Sequence, residues 1–539
     1  MTITLNVWNI SLMSYQDEHP IRASVRVSNS SHICLENVYF PQFICLENFI
    51  FGRFICLDNF ISLSLQLKYN ILRITMYYKR IIDIYLSEWA SRETRKPVLL
   101  RGARQVGKSS AVRHLGKQFK NFLEINFEME PQYKAIFQPD LNVNRIVMQI
   151  SAMSGSRIEE GETLLFMDEI QECPEAIMSL RFFKENMPRL HVIAAGSLLE
   201  FALAELPTFG VGRIHSMFMY PMTFDEFLLA NKENLLLEAR NAASSQSPLP
   251  EPLHEKLVSL LRTYMLVGGM PECVGKWVET HDYLLCQEVQ DDILVSYEDD
   301  FPKYKKKADV NLLRNILRSV AVQATKKFVY TKVGDYKTAE VKSALDLLIL
   351  AGLLIPVTHT SANGLPLGSE ADNSYRKILF FDCGLMLRLL GITIGDTTML
   401  TTQILTATAA DLVNKGTMAE LVAGLEILHY MTPNLRHELY YWVRLAKNSL
   451  AEIDYILPSH LNILPIEVKA GNQGGMKSLW SYMREKHITE AVRCSLENFG
   501  EFCYTDKEDD DTVRHVNIFP LYAVSQIMKS TTSTSQLAY

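Results

Sequence analysis

Eight consecutive residues, Gly102-Ala103-Arg104-Gln105-Val106-Gly107-Lys108-Ser109, constrain this chain more than any other stretch. They fit the pattern GxxxxGK(S/T) and stand between a strand-like run, Pro97 to Arg101, and a stretch with helical spacing. In that setting the glycines let backbone N–H groups turn toward phosphates. Lys108 can reach the β and γ phosphates, and the Ser109 hydroxyl can ligate Mg²⁺. The N-terminus of the following helix adds a dipole that favours an anion. The expectation is an ATP- and Mg²⁺-binding loop built from Gly102, Ala103, Arg104, Gln105, Val106, Gly107, Lys108, Ser109 and Ser110. A chance glycine turn with a surface lysine is the plainer reading, and the strand-loop-helix context argues against it.

Leu164-Leu165-Phe166-Met167-Asp168-Glu169 is an apolar strand ending in two carboxylates. One acid can serve Mg²⁺ and the other an attacking water. Asp168 is expected to hold the metal with Ser109, and Glu169 to act as the base. Alone, such a run is often a strand meeting solvent. Standing about 60 residues after a phosphate loop, it reads as the second half of a nucleotide site.

Strand-like runs recur at Phe122 to Phe127, Thr163 to Met167 and Leu190 to Ala195 with helical stretches between them, the pattern of a parallel sheet covered by helices. At 539 residues the chain exceeds one core and predicts roughly three or four domains. Its 48% hydrophobic and 21% charged residues exclude wholesale disorder. A formal charge of −7 supplies no global basic field, so any nucleic-acid contact needs a local patch. Nine cysteines without a CxxC pair argue against a disulfide framework or a zinc site and fit a reducing cytoplasm. The most apolar run, Ala344 to Val357, is too short to span a bilayer and carries Asp346. The N-terminus lacks the basic and apolar regions of a secretory signal, and no membrane partner is expected.

Beyond these two motifs, several further runs can be picked out: Gln171 after Asp168-Glu169-Ile170, Ala195-Gly196-Ser197, Gly212-Arg213, Pro221-Met222-Thr223-Phe224-Asp225-Glu226, Gly268-Gly269-Met270-Pro271 and Phe381-Asp382-Cys383-Gly384. Together they resemble AAA-type ATPases of bacteria and archaea that end in a nuclease-like domain. The resemblance runs from Met76 to roughly Leu521. It implies an α/β fold with a P-loop parallel-sheet ATPase core, a helical and winged-helix-like middle and a C-terminal α/β nuclease-like domain. It also implies that Ser197 is a γ-phosphate sensor and that Arg213 is a finger arginine, through which copies would self-associate. For both, the plainer readings, a turn serine and a solvated loop charge, stay open.

From Val310 to Val357, three helical stretches lead into the apolar strand Leu353 to Val357, an order that looks like a winged helix with Thr338 to Leu350 as its recognition-type helix. Nearby Lys303, Lys305, Lys306 and Lys307 could contact DNA phosphates. The helix itself mixes Glu340, Lys342 and Asp346, so a lid or packing role is preferred while DNA stays open as a partner.

Near the C-terminus, Glu452 to Leu457 and Ile463 to Lys469 flank a Pro-Ser-His-Leu-Asn turn and predict a hairpin. Glu467 and Lys469 share a face by period-two alternation, and Asp454 can reach the same edge. Asp454, Glu467 and Lys469 look like the PD-(D/E)xK nuclease signature, with Glu420 as a possible fourth member from the preceding helix. In that chemistry Asp454, Glu467 and Glu420 hold a divalent metal and Lys469 orients the attacking water. The fold is expected, and cleavage is left open.

The first 75 residues repeat Ile33-Cys-Leu-Glu-Asn, Ile44-Cys-Leu-Glu-Asn and Ile55-Cys-Leu-Asp-Asn, too few and too short for a solenoid. Met76 is read as the natural start, with a genuine interaction segment over the first 75 residues as the open alternative. The resulting division is a leader outside the fold (1–75), ATPase core (76–228), helical lid or linker (229–309), winged-helix-like region (310–400), restriction-endonuclease-like domain (401–525) and disordered tail (526–539).

Overall fold

A computed structural model describes residues 77–539, apart from 198, 206–211, 305–307, 392–414, 445–450, 461, 471–474 and 532–539. Before residue 77 it describes strands only. Residues 1–76 and 77–539 are separate compact units. In the first, β1 (Thr2–Leu5), β2 (Trp8–Leu12), β3 (Ala23–Val27) and β4 (His32–Cys34) form an antiparallel meander. The first repeat starts on β4, and the two that follow lie outside the described residues.

The second unit opens on the predicted parallel sheet. Its strands are β5 (Val98–Arg101), β6 (Asn121–Asn126), β7 (Thr163–Asp168), β8 (His191–Ala195) and β9 (His215–Phe218), in the order β6-β7-β8-β5-β9. All four pairings are parallel. The central strands are apolar on both faces because helices cover both. Val98, Leu100, Leu164, Phe166 and Ile193 enter one core, and their alternates Leu99, Leu165, Met167 and Val192 enter another. The loops after β5, β7 and β8 therefore meet at the carboxyl edge, where such sheets bind ligands.

Helices follow at Phe224–Ala230, Asn234–Ala242, Glu251–Val267, Pro271–Thr280 and Tyr283–Asp300, with a loop at 243–250 between the second and third. Next come helices Val310–Gln323 and Thr338–Leu350 and the hairpin β10 (Leu354–Thr360) and β11 (Ala371–Phe380). The buried Val341, Ala344, Leu345 and Leu348 set the inner face of the second helix.

The sequence reading places a domain boundary at 400/401, but the sheet runs across it. Strand β10 pairs antiparallel with β11 and parallel with β12 (Leu439–Val443). This pairing satisfies an edge that a free winged-helix hairpin would expose. With β13 (Glu452–Ser459), β14 (Asn462–Val468), β15 (Glu490–Ser495), β16 (Gly500–Asp506) and β17 (Thr512–Pro520), one eight-stranded sheet results, ordered β11-β10-β12-β13-β14-β15-β17-β16. The expected tail from 526 also needs correction. Val524–Thr531 is a helix, and it is held because Ile527 and Met528 are buried and Gln526 donates to the Arg240 carbonyl, 2.6 Å. No helix among the described residues is long and apolar enough to cross a membrane.

Candidate nucleotide site and a C-terminal acidic pocket

The loop after β5 adopts the conformation its glycines allow. Gly102 has φ 142° and Gly107 φ 99°. A Cβ on Gly102 would lie 2.1 Å from the Met219 carbonyl oxygen, so only glycine lets the loop pass there. Gly107 caps the helix Lys108–Gly116, whose first turn holds Lys108, Ser109 and the exposed Ser110. Lys108 is buried and donates to its own loop carbonyls, Gly102 O at 3.0 Å and Ala103 O at 2.8 Å. Burial pushes its pKa down to about 8, against the pull of Glu169 and Asp168.

The acids of β7 complete the site. Ser109 Oγ donates to Asp168 Oδ2 at 2.8 Å, joining the two expected Mg²⁺ ligands. Burial raises the Asp168 pKa, with the Ser109 hydrogen bond opposing it. Glu169 stands in the left-handed region at φ 47°, unusual for a non-glycine residue and frequent where function fixes the backbone. Its Oε2 accepts from Ser197 Oγ (3.1 Å), Ser197 N (3.3 Å) and Gln171 Nε2 (2.6 Å). Ser197 thus touches the expected base directly. A Cβ on Gly196 beside it would lie 2.0 Å from Gln171 Oε1, so a side chain there would displace the Gln171 amide that contacts Glu169. A buried ammonium on neutral carbonyls, a cradle only glycine fits and a hydroxyl-carboxylate pair form a donor set that fits a nucleoside triphosphate with Mg²⁺. Arg213 is exposed and pairs with Glu185 at 3.2 Å.

Other elements hold the loop from outside it, through residues that the motifs do not mark. Arg80 donates to Val106 O (2.8 Å) and Tyr220 O (2.7 Å) and pairs with buried Glu226 at 3.0 Å. Arg104 Nη1 donates to both carboxylate oxygens of Asp300, 2.9 and 2.8 Å, and Tyr297 Oη donates to the Arg104 carbonyl. Lys303 pairs with the same Asp300; Lys305, Lys306 and Lys307 lie outside the described residues. The turn at Gly352, between Thr338–Leu350 and β10, abuts Ala103: a Cβ on Gly352 would sit 3.4 Å from its nitrogen.

Three of the runs behind the resemblance are joints in this structure. Thr223 and Glu226 form a capping box, and Asp225 forms a fully buried pair with Arg240, 2.7 Å. Arg240 in turn donates to Tyr522 O and Ser525 Oγ near the C-terminus. Asp382 accepts from Gly269 N (2.6 Å) and Leu385 N (2.9 Å), so the runs at 268–271 and 381–384 meet. Burial pushes the Asp382 pKa up to about 6 against those hydrogen bonds.

At the C-terminus, Tyr455 pairs with Ile466, which sets Asp454 opposite Glu467. Asp454 Oδ2 accepts from Val468 N at 2.7 Å, and Glu467 is ion-paired with Lys469. The oxygens that lie closest together belong to Glu420, Glu452 and Asp454, all within 4.8 Å of one another. Glu452 was missed, though it sits two residues before Asp454 on the same strand face. Also missed was Lys377 of β11, 1% exposed, whose Nζ lies 2.7 Å from Glu420 Oε1, contacts Glu452 and stands 3.9 Å from Asp454 Oδ1. Burial opposes the Lys377 charge, but Glu420, Asp454 and Glu452 outweigh it and raise its pKa. Burial and Asp454 push Glu420 up to about 8 and Glu467 up to about 7. A divalent metal at Glu420 and Asp454 does not fit this arrangement, because an ammonium already stands among the oxygens.

Residues 94–228 match the family described as AAA domain and form an AAA-type P-loop domain. Residues 258–395 and 415–523 match two domains of unknown function, DUF8612 and DUF4143. No curated protein matches the chain. Among solved structures, that of unliganded Pif1 from Bacteroides sp. is similar over 35% of this chain at 16% identity and a TM-score of 0.17. The match covers 51% of that chain, about half its length.

Proposed function

We propose that the chain is a Mg²⁺-dependent ATPase that passes ATP turnover through the winged-helix-like region to a restriction-endonuclease-like C-terminal domain. The observation that carries this reading is the meeting of Lys108, the Ser109–Asp168 pair and the Ser197–Glu169 contact at one sheet edge. Backbone N–H groups of Gly102 to Ser110 cradle the phosphates. Lys108 exchanges two neutral carbonyls for the β and γ phosphates, a stronger, charge-assisted contact. Ser109 and Asp168 hold Mg²⁺, which when bound neutralises phosphate charge. Glu169 accepts the proton of the attacking water, and Ser197 orients that carboxylate.

Arg213, exposed on the surface, is positioned in this reading to serve a neighbouring copy as a finger arginine. The Gly352 turn and the Arg104–Asp300 contact support coupling, since both touch the loop that must rearrange around phosphate. A reducing, cytoplasmic setting accords with six described free cysteines, five of them buried. Lys108→Ala tests the core of the proposal: ATP hydrolysis should fall by about 100-fold or more while the circular dichroism spectrum is retained. Unchanged turnover sinks the assignment.

A second reading, a nucleotide switch whose C-terminal domain binds a partner without cutting, is favoured by the Lys377 contacts. Incubating purified protein with plasmid and linear DNA and Mg²⁺, with and without ATP, separates the two.

A further inference from the structure

Three carboxylates with oxygens within 4.8 Å repel one another unless a cation lies among them. In a metal-dependent nuclease that cation is divalent. Here Lys377 Nζ already approaches all three, at 2.7 Å from Glu420 Oε1, in contact with Glu452 Oε1 and 3.9 Å from Asp454 Oδ1. Mg²⁺ binds carboxylate oxygens at about 2.0–2.1 Å, so an ion on the same oxygens would sit against the ammonium, two cations without water between them.

The lysine is not a surface chain that happens to lean in. It is 1% exposed, with the Tyr441 ring 4.9 Å from its ammonium. Its backbone is fixed in the ladder opposite Val357 of β10. The neighbouring Arg376 pairs with Asp346 instead, so alternation along β11 sends only Lys377 to the acids. A second sign that the pocket is arranged around charge is Glu467, 3% exposed, whose Oε2 has no hydrogen-bond partner among the described residues although Oε1 is paired with Lys469.

We infer that Lys377 is a built-in cation standing in for the divalent metal of this pocket, so that the C-terminal acids are neutralised from within and take up no metal while β11 keeps its register. The inference rests on the nuclease-like reading of how the acids are arranged. It assigns to the winged-helix-like hairpin the role of closing that pocket.

The test is Mn²⁺ titration of the full chain without nucleotide, by calorimetry and by the shift in melting temperature, in an Asp168→Asn background that removes the other candidate site. The protein with Lys377 intact should show no Mn²⁺ binding that Asp454→Asn abolishes. Lys377→Met should gain one Mn²⁺ site, lost again on adding Asp454→Asn, and Lys377→Arg should remain silent. Asp454-dependent Mn²⁺ binding with Lys377 in place overturns the inference and leaves the nuclease-like reading standing. A folded Lys377→Met that gains no site overturns both. If Lys377→Met does not fold, the intact protein and Lys377→Arg still decide.

Discussion

Two buried lysines set the two pockets of this molecule apart. Lys108 is buried against carbonyls that carry no charge, and burial pulls its pKa down to about 8. Lys377 is buried among Glu420, Glu452 and Asp454, which together outweigh burial and push its pKa up. The first ammonium lacks an anion and is poised for one. The second already has its anions and is closed to a competing cation. A buried charge is costly until compensated, so the same side chain marks a binding site in one place and a structural plug in the other.

The largest expected effect tests the plug. Lys377→Met leaves three crowded carboxylates without a counter-charge and should lower stability by about 3–5 kcal/mol at pH 7, the usual result of removing one partner of a buried ionic set. Chemical denaturation measures it. Folded-state pKa values of Glu420 and Glu467, already raised to about 8 and about 7, should rise further, so the loss should grow as pH climbs from 7 through about 8 and above, where the native protein releases these protons before the variant does. A loss independent of pH would argue that packing, not charge, is what Lys377 supplies.

Next in size is Glu169→Gln. It should keep ATP binding, because Ser109 and Asp168 survive, and lose hydrolysis by about 100-fold or more, the usual range for a general base. Filter binding and phosphate release measured together decide. Loss of binding would mean that Glu169 and Asp168 have exchanged roles. Smaller again is Ser197→Ala, which removes one hydrogen bond to the Glu169 carboxylate and should cut kcat about tenfold with KM little changed. A change confined to KM would make Ser197 a binding residue.

The same contrast explains what could be read before the structure. The candidate nucleotide site is built from three short local signals, each a strand end followed by a loop, and the parallel sheet brings strand ends together whatever the helices do. Asp168 and Glu169 were therefore legible from order and spacing, whereas Ser197 came only with the resemblance carried by the run Ala195-Gly196-Ser197. Glu452 was legible too, two residues before Asp454, but a signature that weighs only named positions passed over it. Lys377 carried no local signal. It reaches the acids because β10 pairs with β12 across a chain separation of some eighty residues, and single-sequence periodicity says nothing about which strands become neighbours. The helix Val524–Thr531 was hidden for the opposite reason: its Ser and Thr content suggests a frayed end, while Ile527 and Met528 gain enough from burial to hold it.

The smallest expected effect concerns Lys108 without nucleotide, and its sign runs against that of Lys377. Its folded pKa near 8 lies below the ordinary 10.5. Below pH 8 the folded protein must hold a charged lysine at a penalty of roughly 3 kcal/mol. Lys108→Met removes that penalty and also two hydrogen bonds worth about 1 kcal/mol each, so the nucleotide-free protein should gain about 1 kcal/mol at pH 7. As pH rises from 8 to 10.5 the folded state releases the proton before the unfolded state does, and the native protein gains stability while the variant does not. The advantage of Lys108→Met should therefore shrink and reverse in that window. The stabilising pairing of Lys377, whose folded pKa is raised, is fully present below 10.5 and is lost as pH climbs through its folded pKa. Melting curves of both variants from pH 7 to 10.5 should thus diverge in opposite senses from the native protein at neutral pH. Parallel curves would mean that the two lysines are compensated alike, and that Lys108 is no more ready for an anion than Lys377.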